Sequence, residues 1–258
     1  DARLTEQGND TKIVFIMYLI KLNATSSTND FLKKLAVNTD LTDFTVVWAD
    51  VQLQGKGQMG SVWVTEDAKN LTFSIYLKEK TTTADNLFTL NVMVANAVLK
   101  ALISLNLTNI YVKWPNDILS YNKKISGILI ENNIHANGSV SSVIGIGINC
   151  EQINFDGFPQ ASSILKQYDI AIDRLQLLTA IVENIKRSLV DLENQTDDEW
   201  NYYHNHLFRK DAVSTFESKD GTLFNGIIKQ VNRHGQLVLQ LENDDLKCYN
   251  LKDIKLMY

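Results

Sequence analysis

The chain is poor in proline and cysteine, with two of each among 258 residues. So little proline, and no internal repeat or low-complexity tract, leaves nothing that reads as a linker between independent modules. Cys150 and Cys248 stand too far apart, and are too few, for a disulfide framework or a zinc site, so a reducing, cytoplasmic setting is the simplest. His135, His204, His206 and His234 fall in turns or on a polar helix, and His204 and His206 are two apart, off a common helical face, which speaks against a metal pair. Basic charge is in deficit, 25 Lys+Arg against 30 Asp+Glu, and no basic block forms locally; a nucleic-acid partner is not expected. The apolar run Ile13–Ile20 is far too short to cross a bilayer and follows a polar, partly acidic start unlike that of a signal peptide, so no membrane association is expected.

What is present reads as an α+β chain, a mixed sheet covered by helices and followed by a small β unit. Met17 looks like a natural beginning, with residues 1–16 as an N-terminal extension or expression remnant, and a strand is expected within Ile13–Ile20. Ser26 to Asp30 supply helix N-cap chemistry for the run that starts at Phe31. Thr45–Ala49 and Leu71–Leu77 read as strands, and Asn86–Leu105 carries apolar residues at helical spacing. A hairpin follows from Ile110 to Ile130, turning at Tyr121-Asn122-Lys123 and interrupted by Gly127. A second hairpin, Ile128–Ile134 with Val140–Ile148, turns at Asn137-Gly138. Helices are expected over Asp173–Leu192 and Asp197–Phe208. Beyond Asp211 four or five short strands alternate with polar turns, the texture of a small closed barrel, which puts a domain boundary near Arg209–Asp211: 17–209, then 210–258.

The chemistry concentrates in Lys113–Glu131. Lys113 and Lys124 bracket Asn116 and Asp117, and two ammonium groups with an amide and a carboxylate on one hairpin suit a negatively charged substrate. Gly55-Lys56-Gly57-Gln58-Met59-Gly60 superficially fits a dinucleotide fingerprint, but Ser61-Val62-Trp63-Val64 is no helix start, and no Gly-Lys-Ser/Thr closes a P-loop. Such glycines still let backbone N–H groups close on an anion. Trp63 offers a face for stacking a base, though a core tryptophan is the commoner case. In Val143–Cys150, glycines at 145 and 147 mark a close approach of ligand or backbone, and Asn149 ends the strand. Cys150 reads as a small buried thiol rather than a nucleophile.

In this order, Ser27-Thr28-Asn29, Gln52, GKGQMG, Trp63, KWPND, Lys124-Ile-Ser-Gly127 and GIGIN resemble the biotin protein ligases over about residues 17–258. The resemblance implies a catalytic domain of the class II aminoacyl-tRNA synthetase/biotin ligase kind followed by an SH3-like barrel. It implies a two-step reaction: biotin and Mg-ATP give biotinyl-5′-adenylate, and the biotinyl group passes to a lysine of a biotin carboxyl carrier domain of an acyl-CoA carboxylase. Lys124, Lys113 and Asp117 would be catalytic. Biotin would meet Ser27, Thr28, Asn29, Gln52, Gly55, Lys56, Gly57, Gln58, Lys124 and Gly127, while ATP would meet Lys56, Gly57, Trp63, Lys113, Asn116, Lys124 and Asn149. No metal site is implied from protein alone; Mg2+ would come with ATP, and Asp117 would either help place it or orient or deprotonate the acceptor lysine. The loop departs from the family's GRGRRG version at Lys56, Gln58 and Met59, which puts bidentate phosphate contact in doubt and implies leakier retention of the adenylate. A ligase without a DNA-binding domain, monomer or homodimer, is the expectation; a lipoate or octanoate ligase or transferase of related fold is the alternative.

Overall fold

The computed structural model of the protein describes residues 17–80, 87–190 and 192–258. The expected extension over 1–16, with the start of the Ile13–Ile20 strand, lies outside the described residues, as does Asn86. The chain opens with strand β1 (Tyr18–Thr25), helix α1 (Thr28–Asn38) and strand β2 (Thr45–Gln52). Ser27 caps α1, its Oγ accepting from the Asp30 N–H, as the Ser/Asn/Asp cluster demands. A short ribbon, β3 (Gly55–Lys56) and β4 (Val62–Trp63), precedes β5 (Leu71–Lys80) and α2 (Leu87–Ser104). Then come β6 (Ile110–Lys113), β7 (Asp117–Ser120), β8 (Lys123–Ile134) and β9 (Val140–Ile148). Gly127 does not interrupt β8, so one strand serves both expected hairpins. Helices α3 (Ile164–Tyr168), α4 (Arg174–Val190) and α5 (Leu192–Asn205) follow. The short α3 was not anticipated, and α5 starts earlier than Asp197 and stops before Phe208, whose N–H is taken by Val112 O.

Seven strands form one mixed sheet in the order β1-β2-β5-β9-β8-β7-β6. Only β1 and β2 pair in parallel, with α1 as the crossover; the other pairings are antiparallel. Strand alternation sorts the two faces. Leu71, Phe73, Ile75 and Leu77 of β5 join Ile144, Ile146 and Ile148 of β9 in the core that packs on α2 and α4. α2 is apolar enough to pass for a membrane span by length and composition, yet it is buried in this core. Thr72 and Ser74, Gly145 and Gly147, and Gly127 and Glu131 alternate onto the opposite face, which carries α1. That face holds a smaller apolar cluster, Leu32, Leu41, Val47 and Val143.

The C-terminal unit comprises β10 (Val213–Ser218), β11 (Leu223–Val231), β12 (Leu237–Gln240), β13 (Leu246–Tyr249) and β14 (Ile254–Met257). The five strands form an antiparallel sheet in the order β13-β12-β11-β10-β14, whose end strands do not pair, so the sheet is not closed. Its turn at Asn232–Gly235 packs on the main body. Gly235, at φ +81, accepts a hydrogen bond from Trp114 Nε1 at 2.9 Å and lies flush on the Phe88 ring, where any Cβ would collide.

Candidate active site

One pocket on the α1 face gathers residues far apart in sequence: Ser27, Thr28 and Asn29 of the capped helix start, Gln52, the glycine loop from Lys56 to Gln58, Trp63, Asn116, Lys124 and Gly127. Its floor is bare backbone. Gly127 on β8 and Gly147 on β9 are direct cross-strand partners, and the Trp63 indole lies across both. A Cβ on Gly147 would sit 2.7 Å from Trp63 Nε1 and Cζ2, and one on Gly127 3.1 Å from Trp63 Cζ3 and 3.3 Å from Lys124 Nζ. The indole Nε1 is buried and has no hydrogen-bond partner among the described residues.

The hairpin builds a charged cluster beside the pocket, of which Lys124 belongs to the lining and Lys113 and Asp117, expected at the site, stand outside it. Lys113 and Asp117 are register partners across β6 and β7, which brings the ammonium and carboxylate together around the Trp114-Pro115-Asn116 corner. Asp117 Oδ1 lies 2.6 Å from Lys124 Nζ and Oδ2 lies 3.5 Å from Lys113 Nζ. The side chains retain 16%, 31% and 20% exposure for Asp117, Lys124 and Lys113, so the triad is largely desolvated while remaining open to a ligand. One carboxylate between two ammonium groups leaves a net positive site that favours an anion. Lys124 Nζ also lies 5.5 Å from the Trp63 ring centroid, linking this cluster to the floor. Asn116 is fastened to β8, its Nδ2 donating to Ile128 O at 2.5 Å, and so fixes the corner.

The opposite wall is a polar network. Gln52 Oε1 accepts from both the N–H and the Oγ1 of Thr28, at 2.8 and 3.0 Å. Ser74 Oγ lies 2.7 Å from Thr28 Oγ1 and 2.6 Å from Asn29 Oδ1. Asn29 Nδ2 donates to Glu131 Oε2 at 2.7 Å, and the approach is possible because Gly145 has no Cβ to strike its amide. Asn29, expected to touch the ligand, lines the pocket while its amide bonds Ser74 and Glu131 behind it. Asn149, expected at the same site, sits apart from the pocket lining: its Nδ2 donates to Ser162 O at 3.0 Å, while its Oδ1 is buried without a partner among the described residues. That orphaned acceptor matches the amino edge of an adenine.

Sequence reasoning missed three residues that brace the site from outside the pocket lining. Asp30 pairs with Lys56 of the glycine loop at 2.6 Å, Glu131 anchors Asn29, and the Tyr258 ring lies beneath Lys113 Nζ at 5.5 Å. Burial, together with the Asp117 charge, pushes the Tyr258 phenol up to about 12, so it faces Asp117 as a neutral hydroxyl. The signal for all three is a contact across the fold rather than a local pattern. Among the described residues no group of three or more His, Cys, Asp or Glu could hold a metal ion. Both Asp117 oxygens already face ammonium groups, so the donor set suits a metal that arrives with phosphate oxygens more than one held by the protein.

A mixed sheet carrying a glycine-floored pocket lined by Lys124, with Lys113 and Asp117 paired beside it, defines an α/β domain with a site suited to an anion. Residues 22–149 match the family model described as Biotin/lipoate A/B protein ligase family. The bifunctional ligase/repressor BirA of Bacillus subtilis is 32% identical over 175 residues, 64% of this chain and 51% of that protein, so the chain spans about half the length of this curated relative. The biotin–[acetyl-CoA-carboxylase] ligase of Mycobacterium tuberculosis is 25% identical over 221 residues, 84% of this chain and 81% of that protein. The fold is that of the biotin protein ligase from Aquifex aeolicus in complex with biotin and ATP, at TM-score 0.78 and 22% identity, over 94% of this chain and 99% of that one.

Proposed function

We propose that this chain is an ATP-dependent biotin protein ligase that forms biotinyl-5′-AMP and then biotinylates a lysine of a biotin carboxyl carrier domain. The observation that carries the reading is the Lys113–Asp117–Lys124 triad beside a glycine floor, inside the stretch that matches this ligase family's model. A biotin carboxylate oxygen attacks the α-phosphorus of ATP, the bond to the β-phosphate oxygen breaks and pyrophosphate leaves. Two anions must meet in that step, and Lys124 between them offsets their repulsion and the charge that develops. To do so it exchanges Asp117 for the substrates, with Lys113 on the phosphates. Trp63 stacks the adenine, Asn149 Oδ1 accepts from its amino group, and Mg2+ enters on the triphosphate. In the second step the carrier amine attacks the acyl carbon, loses its proton and expels AMP; Asp117, freed from Lys124, orients or deprotonates that amine.

The Gln52–Thr28–Ser27 cluster supports biotin over lipoate, because a ureido group needs donors and acceptors that a dithiolane leaves unpaired. An octanoyl transferase would need a nucleophilic thiol. Cys150 is fully buried, and burial pushes its thiol up to about 12, so it does not serve. In this reading residues 17–209 are the catalytic domain and 210–258 an SH3-like unit, and the enzyme works in the cytoplasm.

Pyrophosphate release from ATP is the test, with biotin, lipoate and octanoate offered in turn. Release with biotin alone is expected, and Lys124→Ala should lower its rate by about a hundredfold to a thousandfold, the scale for removing one preorganised stabiliser. No release with biotin from folded protein overturns the assignment.

A further inference from the structure

One polar chain holds the glycine loop from two sides. It begins at Gln52, just before the loop, and runs through Thr28, Ser74 and Asn29 to Glu131. From Glu131 Oε1 it crosses to Lys33 Nζ at 2.7 Å, from Lys33 to Asp30 Oδ1 at 3.0 Å, and from Asp30 Oδ2 to Lys56 Nζ at 2.6 Å, on the loop itself. Among the described residues the loop's other hydrogen bonds are internal or lie in its approach, and its outgoing arm is seated by the Trp63 indole on Gly127 and Gly147. β3 pairs with β4, Gly57 N–H donates to Ser61 O, and the Ser61 hydroxyl donates to Gln58 O. Leu53 and Gln54 N–H groups tie only the approach, to Thr25 O and Ser26 O. Among the described residues, Lys56 is the loop side chain that reaches the body of the protein by an ion pair, and Met59 at the tip is exposed.

We propose that Asp30 is a positioning residue that clasps Lys56 and so keeps the glycine loop seated over the pocket, slowing escape of the bound acyl-adenylate. The identity of the retained molecule rests on the ligase reading; the clasp does not. Asp30 is preorganised for the task. It stands in the first turn of α1, one residue beyond the pocket wall, with Lys33 fixing its other oxygen. Its carboxyl lies below the usual range, first because of the hydrogen bond from Lys56 and then through Lys33. Lys56 is thereby committed to holding the loop, and the loop's hold on an anion falls to its backbone N–H groups. Because the lysine side chain is half exposed, at 51%, the clasp should weaken with salt.

Asp30→Asn keeps the size of the side chain, removes its charge and leaves one acceptor oxygen where Lys33 and Lys56 now have two. Release of biotinyl-AMP, followed by chase with unlabelled intermediate, should be about twofold to fivefold faster than in the parent, the range for one exposed ion pair. Adenylation at saturating biotin and ATP should be unchanged. Salt should accelerate release from the parent more than from the variant, and Asp30→Glu, which keeps the charge, should retain slow release with parental salt sensitivity. Release from Asp30→Asn at the parental rate, or with parental salt dependence, overturns the clasp. If the parent itself makes no biotinyl-AMP, the ligase reading falls, and hydrogen exchange of the Gly57–Ser61 amides in ligand-free protein decides the clasp: faster exchange in Asp30→Asn upholds it, equal exchange overturns it.

Discussion

Gly147→Ala tests whether the flat floor beneath Trp63 is what the site depends on. The new methyl carbon would lie 2.7 Å from the indole Nε1 and Cζ2, and a relaxed contact needs about 3.5–4.0 Å, so the ring must move by about 1 Å. It cannot do so freely. Trp63 pairs with Gly55 in the β3–β4 ribbon, and Gly55 itself has no room for a Cβ between the Trp63 backbone and Gln52 Nε2. Displacing the indole therefore drags the glycine loop, while Gly147 is held in register between β5 and β8. Overpacking of this kind costs about 1–3 kcal/mol. Chemical denaturation should show that loss, and calorimetric titration with the proposed ligands, biotin and ATP, should show weakened binding of both. The decisive measurement is a double-mutant cycle: in a Trp63→Ala background the methyl group has nothing to strike, so Gly147→Ala should cost about 0.5 kcal/mol or less there, within the additivity error. An equal cost in both backgrounds would refute the argument that the floor exists for the indole.

Two further outcomes follow from titratable groups. Cys248 is exposed and Cys150 is buried with its thiol pushed up to about 12, so a chromogenic disulfide should modify one thiol per native chain and two after unfolding; two fast-reacting thiols in native protein would contradict the packing. Burial, followed by the charges of Lys210 and Arg233, holds the His204 imidazole below its ordinary 6.5, with Val231 O opposing them. The unfolded chain then binds a proton that the folded chain refuses, so stability is unaffected above 6.5 and falls as pH drops below it until the folded value is passed. His204→Gln should flatten that fall in denaturation midpoints between about pH 7 and 5, and a parental slope in the variant would remove His204 as its source.

The strand pattern was the legible part. In Val143–Ile148 isoleucine alternates with glycine, and the sheet turns the isoleucines to the helices and the glycines to the pocket. Lys113, Asp117 and Lys124 converge as their hairpin suggested, because register and turn are local properties. Asn29 shows where such reasoning stops. Its place in the first turn of α1 was readable, but the partners of its amide, Ser74 and Glu131, arrive from other strands. Asp30 and Tyr258 escaped for the same reason, since their partners Lys56 and Lys113 are neighbours only once the sheet has assembled. The expected closed barrel is an open five-stranded sheet because β13 and β14 end without pairing, and pairing at a sheet's edge is decided by its overall twist and not by any one strand.

The hydrogen bond from Trp114 to Gly235 ties the corner between Lys113 and Asp117 to a turn of the C-terminal sheet. Arg233 reinforces the join, with its guanidinium on Asp197 and over the Trp200 ring. The lysine pair is thus calibrated from outside its own sheet. The corner has two kinds of anchor, the Asn116 and Asn91 amides within the main body and this join from the C-terminal sheet, so loosening the join removes one brace and leaves the others in place.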